Sequence, residues 1–143
     1  MNKRILFINN YTATSTTPEL IAGAGYRVDI VLDPDAASRE LETRNYDLAV
    51  LLENPYAPSW MTCEKLRRST SIPLIVISYE ASTETCVKAI NAGADYFMRK
   101  PFGPLELHAR INSLLQQVPY NQTISLAYYS YTHRDTLKSQ SIP

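Results

Sequence analysis

The stretch Gly93-Ala-Asp-Tyr-Phe-Met-Arg-Lys-Pro-Phe102 decides how the chain is read. Gly93 closes a helical pattern, because the residue past a last helical turn often takes a left-handed conformation that glycine enters without steric penalty. Asp95 to Arg99 then reads as a short strand, and Lys100-Pro101 stops it. Proline offers no N–H to a sheet ladder, and a Lys-Pro bond is among the few able to be cis. Pro104 suits the first turn of a new helix. The order is helix, glycine stop, strand, Lys-Pro turn, helix.

Upstream, the same alternation repeats. Arg4 to Ile8 is a continuous apolar run, as expected of a parallel strand covered on both faces, and Asn9-Asn10 ends it. Thr12 to Thr17 is poor in helix formers, so the first helix is expected to be short, starting at Pro18 and closed by Gly23 and Gly25. Tyr26 to Leu32 is the second strand. Asp33-Pro34 reads as an N-cap with proline behind it, opening a helix to about Arg44. Tyr46 to Leu52 is the most apolar segment and the expected central strand. A Pro-containing loop, Glu53 to Ser59, leads to a helix from Trp60 to Arg68.

Ile72 to Ser78 is the fourth strand, Ser82 caps a helix Thr83 to Ala92, and the last helix runs from Pro104 to Gln117. Its apolar face is expected from Leu105, Ala109, Ile111, Leu114 and Leu115. Five β/α units without internal repeats predict an α/β fold: a flavodoxin-like, doubly wound parallel sheet of strand order 2-1-3-4-5. Ligands of such sheets bind beyond the carboxyl ends of the strands. Here that rim is Asn9-Asn10, Leu52-Glu53, Ser78-Tyr79 and Lys100.

Composition narrows the function classes. The chain has 143 residues and a formal net charge of +0, which advertises neither a nucleic-acid nor an anionic-membrane surface. No apolar run approaches the ~20 residues of a membrane span, and the start is too short in apolar residues for a signal peptide. Cys63 and Cys86 form no Cys-x-x-Cys pair and have no histidine nearby, so both are expected to be free, partly buried thiols. A soluble, cytoplasmic domain is the expectation. His108 and His133 are isolated and read as surface residues, with no metal spacing around either.

The order Gly-Ala-Asp-x-(Tyr/Phe)-x-x-Lys-Pro-(Phe/Tyr) in Gly93 to Phe102 resembles the end of a response-regulator receiver domain. The resemblance implies a phosphoryl-accepting aspartate after strand three and an acidic pair after strand one that helps hold Mg²⁺. It also implies a Ser/Thr after strand four and a Lys after strand five that contact the phosphorylated state. Mg²⁺ favours hard, charged oxygens, and phosphoryl transfer rests on positioning and charge neutralisation.

This chain departs from that set. Asn9-Asn10 stands in place of the acidic pair, and neutral amide oxygens are poorer Mg²⁺ ligands. Ungapped matching from Tyr46-Asp47-Leu48 puts Leu52 at the acceptor position; a slip of one residue puts Glu53 there, a fixed negative charge able to mimic phosphorylation by pairing with Lys100. Ser78 keeps the hydroxyl, but Tyr79 replaces a small neighbour that leaves room for phosphate. Lys100 is kept, Phe97 fills the aromatic switch position beside Ser78, and Trp60 stands where a turn glycine is usual. Simpler readings stand beside these. Lys100 would be a strand-end lysine in water or bonded to Asn9 or Glu53, Ser78 a strand-end cap, Glu53 a solvated loop residue, and Lys65, Arg67 and Arg68 a solvated helix face.

The expected function is a pseudo-receiver of the OmpR/PhoB-like class: no enzyme, no cofactor, no metal, acting in signal transduction or transcription regulation independently of phosphorylation. In that class receivers dimerise through helix four, strand five and helix five. Glu106 and Arg110 match the charged positions of that face, whereas Cys86, Asn91 and Tyr96 stand at positions usually charged, and Val87, Ile90 and Tyr96 make it more apolar. A homodimer through this face is expected, with another regulatory protein as a further partner. Residues 1–117 form the receiver-like domain. Residues 118–143 read as a linker and tail, beginning Pro119-Tyr120-Asn121, in which Thr123 to Tyr131 is strand-like and Ile124-Ser-Leu126 with the closing Ser141-Ile-Pro143 resembles the entry to an output-domain sheet; DNA would be contacted only through such a domain. One alternative is a receiver switched through Glu53 or a small molecule. Another is a small flavodoxin-like enzyme or nucleotide binder, which lacks a glycine-rich loop after the first strand.

Overall fold

A computed structural model describes residues 2–11, 15–54, 58–79 and 82–116. Strands and helices alternate: β1 (Arg4–Asn9), α1 (Thr17–Gly23), β2 (Arg27–Val31), α2 (Pro34–Thr43), β3 (Leu48–Leu52), α3 (Ser59–Arg67), β4 (Leu74–Ser78), α4 (Thr83–Asn91), β5 (Tyr96–Arg99) and α5 (Pro104–Leu115). The sheet has the order β2-β1-β3-β4-β5, as expected, and each neighbouring pair is parallel. Element ends differ from expectation by at most two residues, as at Tyr46 and Ile72, which lie just outside the ladders, and at the end of α5. The local signals act as read: Asp33 Oδ1 accepts from Ala36 N at 2.8 Å, and Ser82 Oγ from Thr85 N at 3.0 Å. Gly93 has φ +123, and Lys100-Pro101 is cis.

Side chains alternate along the strands and build two cores. Leu6, Ile8, Ala49, Leu51, Val76 and Phe97 pack under α2, α3 and α4 through Ala37, Leu41, Cys63, Leu66 and Ala89. Ile5, Phe7, Val50, Leu52, Ile77 and Met98 pack on the other face under α1 and α5 through Ile21, Leu107 and Ile111. Strands β3 and β4 are buried at every residue, which is why they read as unbroken apolar runs. Each fully buried Leu or Ile contributes about 2 kcal/mol of transfer free energy.

Three expectations are corrected. The buried face of α5 is set by Leu107 and Ile111, with Leu114 and Leu115 partly covered. Leu105 is 81% exposed and Ala109 is exposed, because both lie two positions, about 200° of helix rotation, away from that stripe. Arg67 is not part of a solvated helix face: its guanidinium donates to the carbonyls of Gly93 and Ile72. Glu53 is not a solvated loop residue but fully buried. No helix among the described residues is long and apolar enough to cross a membrane. The expected boundary at residue 117, the linker, the tail and His133 lie outside the described residues, as do 12–14, 55–57 and 80–81.

Candidate functional site

Parallel pairing brings the expected rim residues together at the carboxyl edge of the sheet. Asn9 and Leu52 are register partners, and Asn10 N donates to Leu52 O at 3.0 Å. Glu53 N donates to Ile77 O at 2.9 Å, and Lys100 N to Ser78 O at 3.0 Å. Asn9, Leu52 and Ser78 therefore end β1, β3 and β4, with Asn10, Glu53 and Lys100 one residue beyond β1, β3 and β5. Ser78 is buried, and Leu52 is closed into the apolar layer beneath α1 and α5.

Glu53 turns to the opposite face from Leu52, as strand alternation requires. Its Oε1 accepts from Asn10 Nδ2 at 2.7 Å and from Asn54 N at 2.9 Å, while Oε2 is buried with no hydrogen-bond partner. Burial pushes this carboxyl above the ordinary carboxylate range; the bonds from Asn10 and Asn54, with Thr62 beside it, pull the other way. Cys63 of α3 is fully buried below, and its thiol is pushed up to about 12, first by burial and then by the charge of Glu53. Both cysteines are free, Cys86 half-buried.

Lys100 does not reach toward Glu53. Its Nζ lies 5.3 Å from the Tyr79 ring centroid and 5.8 Å from that of Phe102, within cation–π range of both. Tyr79 in turn stacks obliquely on Tyr11, centroids 5.3 Å apart. From sequence Tyr79 reads only as an obstruction; its role as a wall for Lys100 depends on β4 and β5 being neighbours. Phe97 is buried in the layer under α3 and α4, with the Arg99 guanidinium 5.6 Å from its ring centroid.

The donor set does not suit Mg²⁺ in the way an acidic pair does. Asn9 Oδ1 accepts from Tyr11 N at 3.1 Å, Asn10 spends its amide N–H on Glu53, and the Glu53 carboxylate lies under the β3 end. Among the described residues, no group of three or more His, Cys, Asp or Glu side chains could hold a metal ion.

On the neighbouring face, Val87 and Ile90 of α4 are 50% and 41% exposed, Asn91 is exposed and Cys86 half-covered. The Arg110 guanidinium of α5 stacks 4.3 Å from the Tyr96 ring centroid of β5, and Glu106 stands exposed one turn earlier. Arg110 thus has an aromatic partner within its own chain.

Residues 9–112 match the family model described as the response regulator receiver domain. Over 102 residues the chain is 33% identical to "Response regulator ArlR" of Staphylococcus haemolyticus, covering 71% of this chain and 47% of that protein. It is 35% identical over 95 residues to "Transcriptional activator protein IrlR" of Burkholderia pseudomallei, covering 66% and 42%. The chain spans less than half the length of these two relatives. Among solved structures, a CheY-like response regulator receiver domain protein from Methanospirillum hungatei superposes with a TM-score of 0.71 at 28% identity, covering 80% of this chain and 94% of that one.

Proposed function

Because the chain belongs to the response regulator receiver family, we propose that it is a receiver without a phosphoacceptor, working in the cytoplasm as a phosphorylation-independent interaction module of a transcription or signal-transduction regulator. The observation that carries the reading is the partnership of Asn9 and Leu52. The position across from the first Asn is a leucine buried in the apolar layer, which has no oxygen to phosphorylate. The amides of Asn9 and Asn10 supply no negative charge for Mg²⁺, and the Glu53 carboxylate is held by Asn10.

A switch through Glu53 is a weaker reading, because its carboxylate and the Lys100 ammonium engage different partners. Without phosphotransfer, output depends on surfaces. The α4–β5–α5 face offers the exposed Val87 and Ile90 beside Tyr96, Arg110 and Glu106, and we assign homodimerisation to it. DNA contact would fall to an output domain beyond this chain, as the size of the relatives suggests. Incubation with acetyl phosphate and Mg²⁺ followed by intact-mass measurement tests the central step. The reading expects no added phosphoryl mass, and stoichiometric addition on a residue of this rim contradicts it.

A further inference from the structure

A cleft of about 370 Å³ opens between the start of α1 and the β5–α5 turn, within the size range of small-molecule sites. Among the described residues, its apolar walls include Leu20, Tyr79, Phe102 and Pro104, its charged lining group is Lys100, and Thr16 and Thr17 line it at the start of α1. Among the described residues, no carboxylate lies within ion-pair distance of Lys100; the nearby acid, Glu53, is bound to Asn10. The ammonium is held against two aromatic faces, which leaves its N–H donors to be met by water or by an anion.

These features select a ligand. One ammonium, with only Thr16 and the buried Thr17 as further polar lining among the described residues, is a poor host for a free phosphate, whose charge and hydration call for several charged donors together. A monoanion with an apolar body matches both parts: the charge meets Lys100 while the body displaces water from Tyr79, Phe102 and Leu20. We infer that this cleft binds a small organic carboxylate with a flat aromatic or branched apolar body. The carboxylate is placed on Lys100 Nζ and the body against the Tyr79 and Phe102 rings. The inference rests on the reading above in one respect, that no phosphorylated side chain at the rim competes for Lys100.

Phenylacetate is the probe, titrated into ¹⁵N-labelled protein with inorganic phosphate and phenethylamine in parallel. The expected result is saturable amide shifts at Leu20, Tyr79, Lys100 and Phe102 with phenylacetate, and none with phenethylamine. Lys100→Met keeps the stem and should weaken binding about tenfold or more, the worth of one charge-assisted bond; Lys100→Arg should retain it. The spectrum of each variant reports its own folding, and Tyr79→Ala provides a second route to the same loss. Absence of saturable shifts, unchanged affinity in Lys100→Met, or phosphate binding in preference to phenylacetate each overturns the inference. An arm with Mg²⁺ and beryllofluoride keeps the two claims apart: shifts at Leu52 and Ser78 there count against phosphorylation independence, whatever phenylacetate does.

Discussion

Arg67, at the last turn of α3, grips Gly93 at the end of α4: its Nε and Nη2 donate to Gly93 O at 2.9 and 2.6 Å. Nη1 donates to Ile72 O at 2.5 Å, and Nη2 also meets Asp95 Oδ2 at 2.6 Å, which in turn accepts from Leu74 N at 2.8 Å. One planar fork thus ties the end of α3 to the entries of β4 and β5.

Gly93→Ala is expected to cost about 2–3 kcal/mol in urea unfolding. A Cβ there meets Arg67 Cγ at 2.5 Å, and φ +123 is a conformation side chains rarely adopt. Gly23→Ala is the control, since a Cβ there has nothing within 4 Å. Gly23 is the last residue of α1, so the change there is expected to be neutral or favourable by less than the roughly 0.5–1 kcal/mol of a helix interior.

Arg67→Lys keeps the charge but not the fork, so it is expected to cost about 1–2 kcal/mol and to remain destabilising in high salt. Equal stability of the two proteins would reduce the fork to a surface ion pair.

Glu53 sets a pH dependence. Its folded carboxyl titrates above the ordinary value of 4.5 because of burial, so the native state holds the proton more tightly than the unfolded chain does. Its contribution is therefore greatest at low pH and is lost as pH rises from about that ordinary value through the folded one. Glu53→Gln removes the titration. The stability of the Gln variant relative to wild type should thus be highest near neutral pH and decline on acidification, read by denaturant titration at several pH values.

Ile90→Asp on the exposed side of α4 should weaken the homodimer at least about tenfold, as charging a central interface residue does, while leaving the fold intact. Light scattering after size exclusion reads this. A wild-type monomer at high concentration would remove the dimer from the account.

The alternation of apolar runs with glycine and proline stops made the elements legible, because each signal is local, and the strand order followed from the doubly wound fold class that such an alternation belongs to. Leu105 was misread because a helix of mixed residues allows two neighbouring phases, and only docking on the sheet selects Leu107 and Ile111. Glu53 follows a strand apolar on both faces, so nothing in Tyr46 to Leu52 tells which side it takes. Arg67 looks like any basic residue near a helix end. Its partners Gly93 and Asp95 lie 26 and 28 residues away and meet it only in the fold. Lys100 stood out through the Gly93–Phe102 motif, but its contact with Tyr79 comes from strand pairing.

The most direct measurement is an amide NMR titration, first with Mg²⁺ and then with beryllofluoride, an analogue of an aspartyl phosphate. The account predicts no saturable shifts at Asn9, Leu52, Ser78 or Lys100. Saturable shifts at these four residues would mean that a working phosphate site has been rebuilt on this rim, and would contradict it.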